Sequence, residues 1–304
     1  MTTAPASGNL ATTPPLTTAL LLGGVAVVIW GATPAATEYA IAEIDPITAG
    51  VLRTVFGAVV TLPLVWLMRL PLPTGAGNWG LLIAAAFGGF VSFGLLFTHG
   101  LSLTSTAHAA LILAGLPLVT GLFGAAFDRR WPARIWFAGM AVALAGEVIL
   151  IGVRDASGQA TLEGDLYCVV ASVFSGLGYV TGARLAPRLG PRGSFSVTFW
   201  AISLAGLVQL PLVWILRDAT DWQAVTVVGW SAVWYLALLS GIIGYICWYR
   251  ALAEGGVQRV APLQFAQPLV SLVLAVALFS EPLTPPLLIA AVLILAGIAI
   301  TRKA

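Results

Sequence analysis

Apolar runs of about twenty residues, parted by short polar breaks, fill this chain almost from end to end, and about twenty helical residues cross the hydrocarbon core of a bilayer. We read ten runs, at about 17–37, 47–68, 77–98, 104–123, 133–152, 163–184, 195–216, 225–249, 257–279 and 285–301. Helices are expected because lipid offers no water to an unpaired backbone, and the ten-residue alternation of a membrane barrel is not visible. The pattern predicts an all-α membrane protein of ten transmembrane helices. Ten spans of about 20 residues use about 200 positions, which leaves connections of about ten residues and no large extramembrane domain. Residues 1–16 lack the basic segment of a signal peptide and the Arg-rich pattern of a transit peptide. They read as a short disordered cytoplasmic tail, with the first apolar run kept as a helix.

Composition sharpens this picture. Hydrophobic residues make up 59% and charged residues 9% of the 304, against about a quarter charged in a soluble domain. Placing the amino terminus inside puts Arg69, Arg129, Arg130, Arg134, Arg184, Arg188, Arg192, Arg250, Arg259, Arg302 and Lys303 on the cytoplasmic side. Arg154 and Arg217 fall outside and Arg53 lies within a span, so the asymmetry obeys the positive-inside rule and predicts two cytoplasmic termini. Cys168 and Cys247 lie inside apolar runs without metal-ligand or disulfide-framework spacing and read as packing residues.

The halves repeat. A shift of 151 positions lays Pro117-Leu118-Val119 on Pro268-Leu269-Val270, Ala145-Gly146 on Ala296-Gly297, Leu101 on Leu252 and Gly31 on Gly182. The predicted division is 17–152 and 153–304, five helices each. An odd number inverts the second copy, the construction of many secondary transporters with a site near the midplane between the copies.

Further residues carry a family resemblance: Val28-Ile29-Trp30-Gly31-Ala32 closing the first run, Asp45-Pro46, Arg53, Gly244-Tyr245, Trp248-Tyr249-Arg250, Gln267-Pro268, Ser280-Glu281-Pro282-Leu283 and Leu295-Ala296-Gly297. The chain resembles the EamA-type branch of the drug/metabolite transporter superfamily over essentially its whole length. In that branch a Trp-Gly in helix one, an Arg in helix two, a Pro in helix nine and a Gly-Glu-Pro turn before helix ten recur. Ser280 stands where the family usually has Gly, and Asp128-Arg129-Arg130 replaces a Gly-Glu after helix four. The resemblance implies ten helices in two inverted five-helix repeats around a central cavity, and export of small metabolites, often amino acids, across a bacterial inner membrane.

Within the spans, Arg53 and Glu147 are the ionisable residues that need partners, since an intramembrane charge costs at least about 2.5–3.5 kcal/mol. Both lie at a similar depth below the outer surface. Two readings stay open: they pair, or Arg53 faces a substrate carboxylate while Glu147 snorkels outward or serves as a proton site. His99 and His108 near the outer ends of helices three and four are candidate proton-linked switches, with packing as the plainer reading. Trp30, Phe93, Phe97, Tyr179, Trp200, Tyr245 and Trp248 are candidate pocket aromatics, and His108 joins them as a substrate contact. Gln264 and Gln267 are amides in an apolar run that require partners. Gly115, Pro117 and Pro268 are the candidate hinges in helices four and nine.

No His-Glu-x-x-His, paired span aspartates or phosphate-binding Gly-Lys-Ser/Thr loop is present, so neither a membrane enzyme nor an ATP-driven pump is expected, and no metal, cofactor, nucleic acid or obligate protein partner is called for. No repeated filter loop or charged ring argues for a channel. A phosphate-bearing substrate would call for several buried cations, whereas Arg53 is alone. A zwitterionic amino acid with an apolar or aromatic side chain fits best, moved by alternating access as a facilitator. Proton-coupled antiport of drugs or other metabolites is the alternative.

Overall fold

The computed structural model describes residues 16–104, 109, 112–154, 161–270, 273, 284–301 and 303, and every regular element among them is helical. Six helical runs are long and apolar enough to cross a membrane: Leu16–Ile41, Pro46–Leu67, Ala76–Leu103, Leu162–Leu189, Gly193–Ile215 and Val227–Gly255. Shorter apolar helices cover Ile112–Asp128 and Pro285–Thr301. A further helix spans Arg134–Arg154, and residues 257–266 form a helical turn and a 3₁₀ segment. The predicted tail up to residue 15, His108, and the Ser280-Glu281-Pro282-Leu283 turn lie outside the described residues.

The first run is two helices, α1 (Leu16–Gly31) and α2 (Thr33–Ile41). Pro34 has no N–H to give to a continuing helix, yet fits the first turn of a new one, so the chain restarts there. That restart carries helix to Ile41, beyond the expected end near 37. α3 (Pro46–Leu67) begins the same way, with Pro46 in its first turn and Asp45 Oδ2 accepting from Thr48 N at 2.8 Å. Third comes α4 (Ala76–Ala86), a π segment π1 (Phe87–Phe97) and α5 (Thr98–Leu103). α6 (Leu116–Asp128) follows a turn at Gly115, with Pro117 in its first turn, so two of the predicted hinge residues sit at a real helix break. α7 is Arg134–Arg154, α8 Leu162–Leu185, and α9 Gly193–Ile215. The next run joins α10 (Val227–Tyr235), a second π segment π2 (Leu236–Gly244) and α11 (Tyr245–Gly255). The turn α12 (Val257–Val260) leads into the 3₁₀ segment Ala261–Ala266, and α13 (Pro285–Thr301) ends the described fold. Pro268 lies in helix just beyond the 3₁₀ segment.

The most extensive helix contacts join distant parts of the chain: α7 with α13, α3 with α9, α8 with α4 and π1, and α1 with α11 and π2. Glycines permit them, because small residues let helix backbones approach in a medium where apolar burial alone drives no association. A Cβ on Gly178 of α8 would stand 2.6 Å from Gly89 N in π1, and one on Gly244 would stand 2.6 Å from Trp30 Nε1. Thr61 and Ser203 hydroxyls share a hydrogen bond of 3.0 Å across the α3–α9 seam. Large side chains left on the outside, such as Trp66, Leu67, Trp214, Ile215 and Val292, form the apolar girdle a bilayer requires.

Candidate functional site

Four buried hydrophobic clusters lie among the described residues, and two of them bear on the candidate site. The larger contains Trp30 of α1, Phe90 of π1, Tyr179 of α8, and Tyr245, Trp248 and Tyr249 of α11. Tyr245, Trp248 and Tyr249 fall at i, i+3 and i+4, the spacing that puts three side chains on one helix face. Trp30 is the hub: it stacks on Tyr179 with ring centroids 5.4 Å apart and planes 15° from parallel, and meets Tyr245 at 5.3 Å and Trp248 at 5.4 Å. Phe90 approaches Tyr245 to 4.3 Å. Offset and edge contacts of this kind each add about 0.5–1.5 kcal/mol beyond burial.

The polar ends of these rings reach into the π segments. Trp30 Nε1 donates to the Ser240 carbonyl of π2 at 3.0 Å, and the Tyr245 hydroxyl donates to the Gly89 carbonyl of π1 at 2.6 Å. Thr33 donates to the Ser240 hydroxyl at 3.1 Å, and Tyr235 to the Ile29 carbonyl at 2.6 Å beside the α1–α2 break. Trp248 Nε1 and the Tyr249 hydroxyl have no hydrogen-bond partner among the described residues, and Gln264, 4% exposed, faces the Tyr179 hydroxyl.

Arg53 sits on the edge of this aromatic cluster, within electrostatic reach of Tyr245 and Tyr179. Its guanidinium lies 5.7 Å from the centre of the Phe93 ring, a cation–π distance, and Phe97 stacks on Phe93 at 4.8 Å. Arg53, Thr54, Phe90, Phe93 and Gly241 border a cavity of about 10 Å³, room for one water molecule. A larger groove of about 420 Å³ lies between α2 and α10, walled by Ala32, Ala36, Val227, Val228 and an exposed Tyr39. With no charged lining residue it makes a poor site for a polar solute.

Sequence reasoning thus named Trp30, Tyr179, Tyr245, Trp248, Gln264, Arg53, Phe93 and Phe97, which the structure brings together. It missed Phe90 and Tyr249, although the i, i+3, i+4 spacing of the α11 aromatics was a usable signal. Trp200 belongs to the same buried cluster, at its border, where its ring is edge-on to the exposed Trp66 at 6.3 Å. Gln267 is partly buried, and its carbonyl packs under Gly31. His99 sits edge-on to Tyr167 at 4.9 Å. Glu147 is buried on the α7 face whose Met140, Ala143 and Leu150 pack in a second cluster with α13, and no ion pair joins it to Arg53 among the described residues. Equal depth says nothing about which way each side chain points around its helix, and that is why the depth argument does not produce a pair.

A family profile decides the identity of this architecture: that of the EamA-like transporter family matches residues 17–152 and again 162–302. The chain belongs to the EamA-like transporter family. It is a multi-pass membrane transporter and not an enzyme. Among relatives, it is 32% identical over 260 residues to the "Uncharacterized transporter YdeK" of Bacillus subtilis, covering 85% of this chain and 88% of that one. It is 26% identical to the "Probable amino-acid metabolite efflux pump" of Salmonella typhimurium, covering 90% of each. It is also 26% identical to the "Aromatic amino acid exporter YddG" of Ancylobacter novellus, covering 93% and 96%. A solved structure superposes with a TM-score of 0.77 at 24% identity over 94% of this chain and 97% of that one, a likeness of fold.

Proposed function

We propose that this EamA-family chain exports amino acids with apolar or aromatic side chains across a bacterial inner membrane. The mechanism we assign is alternating access between two inverted halves, 17–152 and 153–304, each of five helices, with both termini cytoplasmic. The observation that carries the substrate reading is one cation, Arg53, set beside a buried cluster of aromatic rings. A guanidinium pairs with a carboxylate through two parallel hydrogen bonds, while Phe90, Phe93 and the rings below offer stacking surface to a side chain. Among the described residues the cavity border carries no second cation, which disfavours phosphate esters. Two relatives of near-complete coverage bear amino-acid exporter names, which supports the same class.

Alternating access draws support from the double match of the family profile and from paired features at a constant offset. Adding 151 to Phe87, where π1 starts, gives Leu238, inside π2. The closed aromatic cluster is one gate of such a cycle. Downhill exchange requires no further device at Arg53, so facilitated export is the simplest form. The experiment is efflux from liposomes holding the purified chain and a panel of labelled amino acids, with and without an imposed pH gradient. Preferential efflux of aromatic and branched species, lost in Arg53→Gln, supports the reading. Equal movement of amino acids and of amines lacking the carboxylate refutes it.

A further inference from the structure

We propose that Glu147 is a proton-binding site that communicates with the central site through the 3₁₀ segment Ala261–Ala266. Only the communication rests on the transport reading above; the proton site stands by itself.

Glu147 lies on the stripe Trp136, Met140, Ala143, Glu147, Leu150, whose alternating spacing of four and three residues marks one face of α7. That face is buried against Leu287, Ala290, Ile294 and Ile298 of α13 and against Phe265. Glu147 is 1% exposed, and its Oε2 has no hydrogen-bond partner among the described residues. The helices are too close for much water: a Cβ on Gly146 would stand 2.8 Å from the Ala290 carbonyl.

Among the described residues no compensating charge faces this carboxyl. α13 from Pro285 to Thr301 and residues 261–270 contain no titratable side chain. On α7 itself Arg134 and Arg154 occupy the two ends, 13 and 7 residues away, or about 20 and 10 Å at the helical rise. α6 contributes Asp128 at its end, already engaged by Arg184. His108, Asp155, Glu281 and Arg302 lie outside the described residues. An unpaired charge in such surroundings is expensive, and a carboxyl avoids it by taking a proton. The exchange is simply carboxylate plus proton giving the neutral acid, released again when water reaches the α7–α13 seam.

The link to transport is mechanical. Phe265 packs in the second cluster, while its neighbour Gln264 lies beside Tyr179 in the aromatic cluster. Leu263 and Ala266 touch both clusters. A change that hydrates Glu147 must part α7 from α13 and Phe265, and so displaces the segment that holds Gln264.

The test uses the full chain in liposomes. A hydrophobic carbodiimide, which attacks protonated carboxyls in apolar surroundings, is expected to label Glu147, mapped by mass spectrometry, with labelling falling as pH rises. Amino-acid efflux is expected to move protons in the opposite direction, read by an entrapped pH dye. A gradient of one pH unit should then hold about a tenfold amino-acid ratio at one-for-one exchange. Glu147→Gln, isosteric with the neutral acid, should keep downhill efflux while losing proton movement and the gradient-driven ratio. Absence of labelling at Glu147 in the natural chain at every pH overturns the site whether or not the variant folds. Labelling without proton movement during efflux overturns the communication and leaves facilitated export standing. Proton exchange at Glu147 in a chain that moves no amino acid fails the substrate reading alone.

Discussion

Replacing Tyr245 by Phe removes one oxygen from the centre of the aromatic cluster and keeps the ring. The contacts with Phe90 at 4.3 Å, Trp30 at 5.3 Å and Tyr249 at 5.5 Å are preserved. What goes is the 2.6 Å hydrogen bond to the Gly89 carbonyl, in which both residues are buried, and with it the hydroxyl's polar contact with Tyr179. A buried carbonyl left without its donor costs about 1–3 kcal/mol, which multiplies the population of any arrangement lacking this bond by about 5-fold to 150-fold. Two measurements read it. The melting temperature in detergent should fall, and maleimide modification of Cys247, partly buried two residues along α11, should quicken, while the fully buried Cys168 serves as the slow internal reference. If Tyr245→Phe melts and reacts like the natural chain, the bond contributes nothing, and ring packing alone closes the cluster.

Three other outcomes follow from the same geometry. Gly178→Ala puts a methyl 2.6 Å from the Gly89 amide nitrogen, main chain that cannot turn aside, so a loss of about 1–3 kcal/mol is expected in equilibrium unfolding. Arg53→Lys keeps charge but not the two-pronged donor geometry; efflux should fall by about tenfold, the equivalent of about 1.4 kcal/mol, with no loss of melting temperature, and full activity would show that charge alone suffices. Glu43 accepts from Thr226 N at 2.7 Å and from its hydroxyl at 2.8 Å, tying the α2–α3 turn to the start of α10. Glu43→Ala should cost about 0.5–2 kcal/mol as a lost cap, seen as faster amide exchange over residues 227–235.

Much of the fold was legible because lipid leaves a sequence few options. Long apolar runs must be helices, and the Pro34 and Pro46 restarts follow from a missing N–H. The site was legible by residue type and less so by direction. Depth along a helix can be counted from its end, and this put Arg53 and Glu147 at one level; azimuth depends on which helix packs alongside. α7 meets α13 about 150 residues away in the chain, and no local pattern announces that. The π segments were illegible, because their wider register is stabilised by partners outside the segment: the Trp30 indole and the Tyr245 hydroxyl on carbonyls of Ser240 and Gly89.

Those two hydrogen bonds bear on the proposed halves. The 151-residue offset carries α1 onto α8 and π1 onto π2, so the α1–π2 contact in one direction corresponds to the α8–π1 contact in the other. Both contacts are glycine-paved, Gly244 against Trp30 and Gly178 against Gly89. The fastening differs: Trp30 bonds π2 directly from α1, whereas π1 is held by Tyr245 from α11 and not by a residue of α8. Two exchanged copies would give two states of equal energy if their fastenings matched. The mismatch gives the closed aromatic cluster its own hydrogen bonds, so in the alternating-access reading the two states differ in energy by roughly what these bonds contribute, about 1 kcal/mol each. In that reading a substrate shifts the balance only by the difference in its affinity for the two states. Weakening the Trp30 bond should therefore raise basal opening and lower the substrate dependence of opening together; a variant that changes one without the other would separate the gate from the site.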